Sequence, residues 1–169
     1  ASMTFYKGTL CGKDTVVVRS GIGKVNAAIC AQILVDKFGV DTLINTGIAG
    51  SLDARIDIGD MVISTDAVHH DMDATIFGDA IGQVPRMDTR TFPADPHLVE
   101  LAVKANEKAN PQIHTFTGRV ASGDQFISSG EVKARIVENF QALCTEMEGA
   151  GIAHAAYLNK VSYVIIRAI

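Results

Sequence analysis

Glu146, Met147 and Glu148 stand where a short apolar run, Leu143-Cys144-Thr145, gives way to Gly149-Ala150-Gly151-Ile152-Ala153-His154-Ala155-Ala156. The first stretch suits a buried strand, and the second is small enough for a helix packed tightly onto a sheet. Two carboxylates at such a strand-to-helix transition lie in the usual ligand crevice of open α/β sheets. Strand alternation points Glu146 and Glu148 the same way and Met147 the other. Each carboxylate oxygen accepts a short charge-assisted bond, so the pair suits a ligand carrying two hydroxyls. The plainer alternative is a solvated helix N-terminus, where the dipole favours Glu. These residues alone leave both readings open.

Other stretches carry chemistry at similar transitions. Ser20-Gly21-Ile22-Gly23-Lys24 feeds an apolar-periodic run from Val25 to Phe38. A glycine turn entering a helix can cradle an anion on its free N–H groups. It equally serves as a tight turn with close helix packing, because neither a full Gly-x-Gly-x-x-Gly nor a P-loop is present. Gly47-Ile48-Ala49-Gly50-Ser51 reads as a second turn that brings backbone close to a ligand or another strand. His69, His70, Asp71 and Asp73 match no common zinc spacing, and adjacent strand residues face opposite ways, so no metal is expected. Phe126 leaves a strand, where an aromatic is either core or a ligand platform.

The elements that position these groups alternate between strand and helix. Thr4–Leu10 and Asp14–Arg19 read as paired strands, followed by the helix to Phe38, which Gly39 closes. Strands are expected over Thr42–Thr46 and Met61–Asp71, with a turn at Ile58-Gly59-Asp60 between them. Phe77–Pro93 lacks periodicity and carries Gly78, Gly82, Pro85 and Pro93. A loop of that length is usually functional or part of an interface. Asp95-Pro96 opens a helix that Pro111 stops. Ile113–Ser122 returns as a strand, and Ser128 or Ser129 caps a helix to Phe140. The pattern predicts an α/β fold: three layers, with a twisted, mostly parallel or mixed central sheet flanked by helices.

The 169 residues suffice for one domain, 1–169, with 47% hydrophobic and 20% charged residues giving an ordinary globular balance. A net charge of −4 without a basic cluster argues against nucleic acid. No apolar run reaches the length of a membrane span. Cys11, Cys30 and Cys144 are odd in number and scattered, which suits a reducing compartment, so cytoplasm is expected. Both ends read as abrupt: Ala1-Ser2-Met3 leads straight into a strand, and Val164–Ile169 stops at the working tip of another. Further material is expected at one or both ends.

Taken together, Ser20–Ala27, Asn45–Leu52, Ile58–Ser64, His70–Pro85, Ser122–Ile127, Glu146–His154 and Arg167–Ile169 resemble the 5'-methylthioadenosine/S-adenosylhomocysteine nucleosidases of the purine nucleoside phosphorylase superfamily. The resemblance runs from about Phe5 to the last residue. Its specific part is Ser-Gly-Asp-x-Phe-Ile, then Glu-Met-Glu, then Arg-Ala-Ile. It implies hydrolysis of the adenine–ribose bond through an oxocarbenium-like transition state, without a cofactor. Phe126 is then expected to stack on adenine, with the Ile127 backbone bonding its edge. Glu148 resembles the carboxylate that grips the ribose hydroxyls, Met147 the residue against the sugar, and Arg167 the arginine that helps hold the water. Glu146 supports this site, and Ile48, Ala49 and Gly50 line it. Phe77 and Pro85 match positions that reach into the partner's alkylthio pocket in a homodimer.

Three departures accompany the resemblance. The family's water-activating glutamate lies in an N-terminal stretch, and its adenine-protonating aspartate follows Arg-Ala-Ile-Ser; neither is in this sequence. Ile48 stands where some members carry serine. The resemblance thus implies a domain incomplete at both ends, inactive as 169 residues alone. A phosphorylase on the same fold, a futalosine hydrolase, and a nucleoside-binding fragment without turnover remain alternatives. The absence of arginine from the two glycine turns favours water over phosphate as nucleophile.

Overall fold

The computed structural model describes residues 2–169; Ala1, the first residue of the expected domain, lies outside the described residues. β1 (Phe5–Leu10) and β2 (Lys13–Val18) form an antiparallel hairpin. Cys11 and Gly12 close it at φ 50° and 77°, positive values that match the strand twist of a two-residue turn. The Phe5 ring stacks on Phe38 at 5.2 Å, tying the hairpin to the end of α1 (Lys24–Phe38). Gly39 ends α1 in the left-handed region and donates to the Val35 carbonyl, as its lack of a Cβ allows.

The main sheet holds β3 (Thr42–Ile48), β4 (Gly50–Ser51), β5 (Met61–His69), β6 (Phe92–Pro93), β7 (Thr115–Ser122), β8 (Cys144–Glu146) and β9 (Ser162–Ala168). Its order is β3-β9-β5-β7-β8-β4, with β6 added on β5. The β3–β9, β5–β7 and β7–β8 pairs are parallel, whereas β9 runs antiparallel to β5 and β4 antiparallel to β8. The helices α2 (Pro96–Ala109), α3 (Gly130–Phe140) and α4 (Gly149–Asn159) complete the alternation. Asp95 caps α2, accepting from His97 N at 2.8 Å, and Pro96 fills the first turn where its missing N–H costs nothing.

Two apolar clusters separate the faces of the sheet. One gathers Val62, Ala67, Val120 and Ile165 with Ala27 and Ala31 of α1 and Ala150, Ala153 and Ala156 of α4. The other holds Val68, Ala121 and Ala142 with Ile136 and Phe140 of α3. Neighbours along β5 and β7 thus face opposite layers, as strand alternation requires. Val62 and Ala67 share a face despite an odd separation, because β5 carries an irregularity between Ser64 and Asp66 that shifts its phase. α4 is composed of small residues because α1 lies directly on it: a Cβ on Gly151 would sit 2.8 Å from the Lys24 carbonyl.

The expected mixed α/β sheet flanked by helices is present. Three local expectations change. The Gly47–Ser51 turn shrinks to Ala49, because Gly47 and Ile48 continue β3 alongside Arg167 and Ala168, and Gly50–Ser51 pair with Cys144–Thr145. Ser129 occupies the N-cap of α3, yet its hydroxyl makes no capping bond. The Phe77–Pro93 stretch is bounded by short regular pieces, a 3-10 turn over Thr75–Phe77 at its start and the β6 pairing of Phe92–Pro93 at its end.

Candidate active site

Parallel strands β3 and β9 deliver the site's only buried cation among the described residues. Arg167 is 4% exposed, one residue before the end of β9. Its guanidinium crosses onto β3, where Nη1 donates to the Ile48 carbonyl at 3.0 Å and Nη2 to Asn45 Oδ1 at 2.5 Å. Gly47 makes this possible: a Cβ there would lie 2.5 Å from Nη1. Glu146 Oε2 approaches Nη2 at 2.5 Å and Glu148 Oε2 at 3.5 Å. The two carboxylates do point the same way, and they converge on one arginine.

Their roles nonetheless separate. Glu146 is buried and its acceptor positions are taken up by the protein. Oε1 accepts from Ser122 Oγ, and Oε2 accepts from Gly149 N at 2.7 Å and Glu148 N at 3.2 Å besides facing Arg167. Ser122 Oγ in turn accepts from Ala150 N at 2.7 Å. Glu146 and Ser122 thereby satisfy the free amides at the start of α4, where negative charge is favoured. Glu148 is the carboxylate with capacity left. Oε1 accepts only from Gly23 N at 2.9 Å, and Oε2 lies 3.5 Å from Arg167. Arg167 Nε is buried without a partner among the described residues.

The glycine turn before α1 combines both readings its sequence offered. It packs closely, and it does cradle anions, but those of the chain itself: Glu148 on Gly23 N and Asp124 Oδ1 on Lys24 N at 2.8 Å. Lys24 Nζ is likewise engaged, 2.5 Å from Asp71 Oδ1. Burial raises the Asp71 carboxyl, but the Lys24 ammonium and the Asp124 amide outweigh it and hold the group below the usual range.

Phe126 projects from the loop after β7 with 86% of its surface exposed, so it is not part of the core. The next residue, Ile127, packs against the α3-side cluster and anchors the loop. Ile48 is exposed and presents its carbonyl to Arg167, while Ala49 N donates to the Ala168 carbonyl at 2.9 Å and Gly50 lies beside Thr145. Met147 is half-buried between the two carboxylates in sequence. Phe77 is exposed at the start of the long loop, and Pro85 is exposed further along it.

Buried His69 and half-buried His154 form a separate pair, Nε2 to Nδ1 at 3.2 Å, with the Phe92 ring stacked on His154 at 4.6 Å. Burial, aided by Lys24, pushes His69 down to about 4. His70 points elsewhere, against Gly123. Among the described residues no three His, Cys, Asp or Glu side chains gather as metal ligands. Sequence reading missed Asn45, Ser122 and Asp124 as individual supports. Their common signal is a polar residue in or just beyond a strand that feeds a glycine turn.

The family profile of the phosphorylase superfamily matches residues 1–169. The 5'-methylthioadenosine/S-adenosylhomocysteine nucleosidase of Treponema pallidum is 42% identical, over all of this chain and 70% of its own length. The crystal structure of the Neisseria meningitidis nucleosidase of that name, in complex with methylthio-immucillin-A, superposes with a TM-score of 0.94 at 40% identity, covering 99% of this chain and 72% of the other. A futalosine hydrolase mutant of Helicobacter pylori superposes at 0.91 with 32% identity, covering 98% and 74%. The chain belongs to the phosphorylase superfamily and, within it, to the 5'-methylthioadenosine/S-adenosylhomocysteine nucleosidases.

Proposed function

We propose that the intact protein hydrolyses the N-glycosidic bond of 5'-methylthioadenosine and S-adenosylhomocysteine, releasing adenine and the thioribose product. One observation carries the reading: Glu148, a carboxylate with unspent acceptor capacity, is held beside the buried Arg167 at the end of β9. Glu148 accepts the ribose hydroxyls. Positive charge develops on the sugar as adenine departs, so this carboxylate stabilises the transition state more than the ground state. Arg167 helps hold the nucleophilic water beside Glu148. Phe126 stacks on adenine, the Ile127 backbone bonds the base edge, and Met147 packs against the sugar. Ile48, Ala49 and Gly50 form the adjacent wall, and Glu146 keeps Arg167 and α4 in place.

Water rather than phosphate is the nucleophile in this reading. The helix N-terminus that would best hold phosphate is filled by Asp124 and Glu148, and its lysine is paired with Asp71. We further infer a homodimer in which the exposed Phe77 and Pro85 complete the neighbour's pocket around the alkylthio group, a reciprocal arrangement natural to a two-fold pair. Three free thiols fit a reducing cytoplasm. The test is adenine release from 5'-methylthioadenosine in phosphate-free buffer, with inosine and futalosine as competitors. Dependence on phosphate, or a strong preference for inosine, would exclude the assignment. Preference for futalosine would transfer it to the hydrolase that shares this fold.

A further inference from the structure

Three chain segments distant in sequence close a small ring beside the site. Lys24 N donates to Asp124 Oδ1 at 2.8 Å, Asp124 N donates to Asp71 Oδ2 at 2.8 Å, and Lys24 Nζ returns to Asp71 Oδ1 at 2.5 Å. Each bond joins a different pair of segments: the start of α1, the residues after β5, and the loop after β7. Exposed ion pairs contribute little. Here, however, the side chains of Lys24 and Asp71 are only 15% and 21% exposed, and both oxygens of Asp71 are used. The loop is fitted to this support, because a Cβ on Gly123 would overlap the His70 ring and lie 3.1 Å from Asp71 Cγ.

The ring fixes the loop at Asp124, and Ile127 fixes it at the other end by packing against the α3-side cluster. Gln125 and Phe126 bridge the two anchors and are exposed. An aromatic ring so exposed has little packing of its own to hold it, so its direction is set by these anchors. We propose that Asp71 is a positioning residue for the nucleoside-binding loop, clamping Asp124 so that Phe126 is presented as a preorganised stacking face. The proposal rests on the reading of Phe126 as the adenine platform. It requires aspartate specifically, since an amide offers one acceptor where two donors, Lys24 Nζ and Asp124 N, converge.

The test is calorimetric binding of adenine to the full chain as wild type, Asp71→Asn, Phe126→Ala and the double variant. Phe126→Ala should weaken adenine about tenfold or more, the size of a lost base–aromatic stack. Asp71→Asn should weaken it about tenfold, and the double variant should bind no worse than Phe126→Ala alone, because both changes remove one interaction. Independent, multiplying effects would overturn the proposal, as would wild-type adenine affinity in Asp71→Asn while Phe126→Ala is impaired. An unimpaired Phe126→Ala would instead remove the stacking reading itself and the proposal with it. Should Asp71→Asn not fold, Lys24→Met opens the same ring from the other side. The same loss and the same non-additivity with Phe126→Ala are expected there, and wild-type affinity or multiplying effects would again overturn the clamp.

Discussion

Replacing Gly47 by alanine probes the site through a single methyl group. Gly47 lies in β3 and is not among the positive-φ glycines, so alanine meets no backbone penalty there. Its Cβ would nevertheless stand 2.5 Å from Arg167 Nη1 and 3.2 Å from Cζ. The guanidinium must withdraw, yet it is buried and held by Asn45, the Ile48 carbonyl and Glu146. A hydrogen bond from a charged donor contributes about 1.5–3 kcal/mol, and disrupting a buried ion pair costs about 3–5 kcal/mol. Partial retreat therefore costs about 3 kcal/mol in stability. A similar loss of transition-state stabilisation lowers kcat/KM by about 10²-fold. The assays are adenine release at varied substrate and urea unfolding. Gly130→Ala serves as the control: nothing lies within 4 Å of its added Cβ, at the start of α3, so activity holds and stability stays level or rises by up to ~1 kcal/mol. A Gly47→Ala enzyme with wild-type kcat/KM and unfolding midpoint would refute the claim that Arg167 must occupy this position.

Glu148→Gln keeps an acceptor for Gly23 N but removes the charge beside Arg167. It should cost about 3 kcal/mol of transition-state stabilisation, lowering kcat far more than substrate affinity, and unchanged kinetics would take Glu148 out of the ribose site. Phe77→Ala removes an exposed aromatic, and its burial against the thioalkyl group corresponds to about 1.5–3 kcal/mol. KM for 5'-methylthioadenosine should rise about tenfold or more while free adenine binds normally, and an unaltered KM would count against the shared pocket. His69 is pushed from 6.5 to about 4 by burial, so between those values the unfolded chain holds more protons than the folded one. Stability should therefore rise with pH across that window, be fully present above about pH 6.5, and lose about 3 kcal/mol by pH 4. Denaturation curves for His69→Gln should be flatter with pH over the same range, and an equally steep curve would reject His69 as the source.

Much of this was legible in the sequence because the relevant physics is local. Gly39 ending α1, Asp95-Pro96 opening α2 and the β-branched runs of β2 and β5 each declare themselves within a few residues. The carboxylate pair was readable from its place at a strand-to-helix transition, although not by alternation: β8 stops at Glu146, and Met147 and Glu148 form a bend before α4. What stayed hidden depends on partners far along the chain. Nothing near Gly23 shows that its N–H meets Glu148, and nothing near Asp71 shows that it joins Lys24 to Asp124. The phase shift in β5 also escaped notice, since only the register against β7, in which Thr65 is skipped between Ser64 and Asp66, reveals it. Glu146 and Glu148 are alike in sequence. Only the count of donors around each distinguishes the structural carboxylate from the available one.

The position of β9 in the sheet has a consequence for biosynthesis. Ser162–Ala168 lies between β3 and β5, strands made far earlier, and supplies Arg167 to the site. At typical translation rates, the ribosome needs roughly 5–20 s to pass from His69 to Ser162. Until then β3 and β5 present unpaired backbone toward each other's future partner, and Glu146 has no cation to face. Unpaired strand edges of this kind are exposed to pairing with other chains. The same insertion that completes the sheet also brings Arg167 to Glu146 and Glu148.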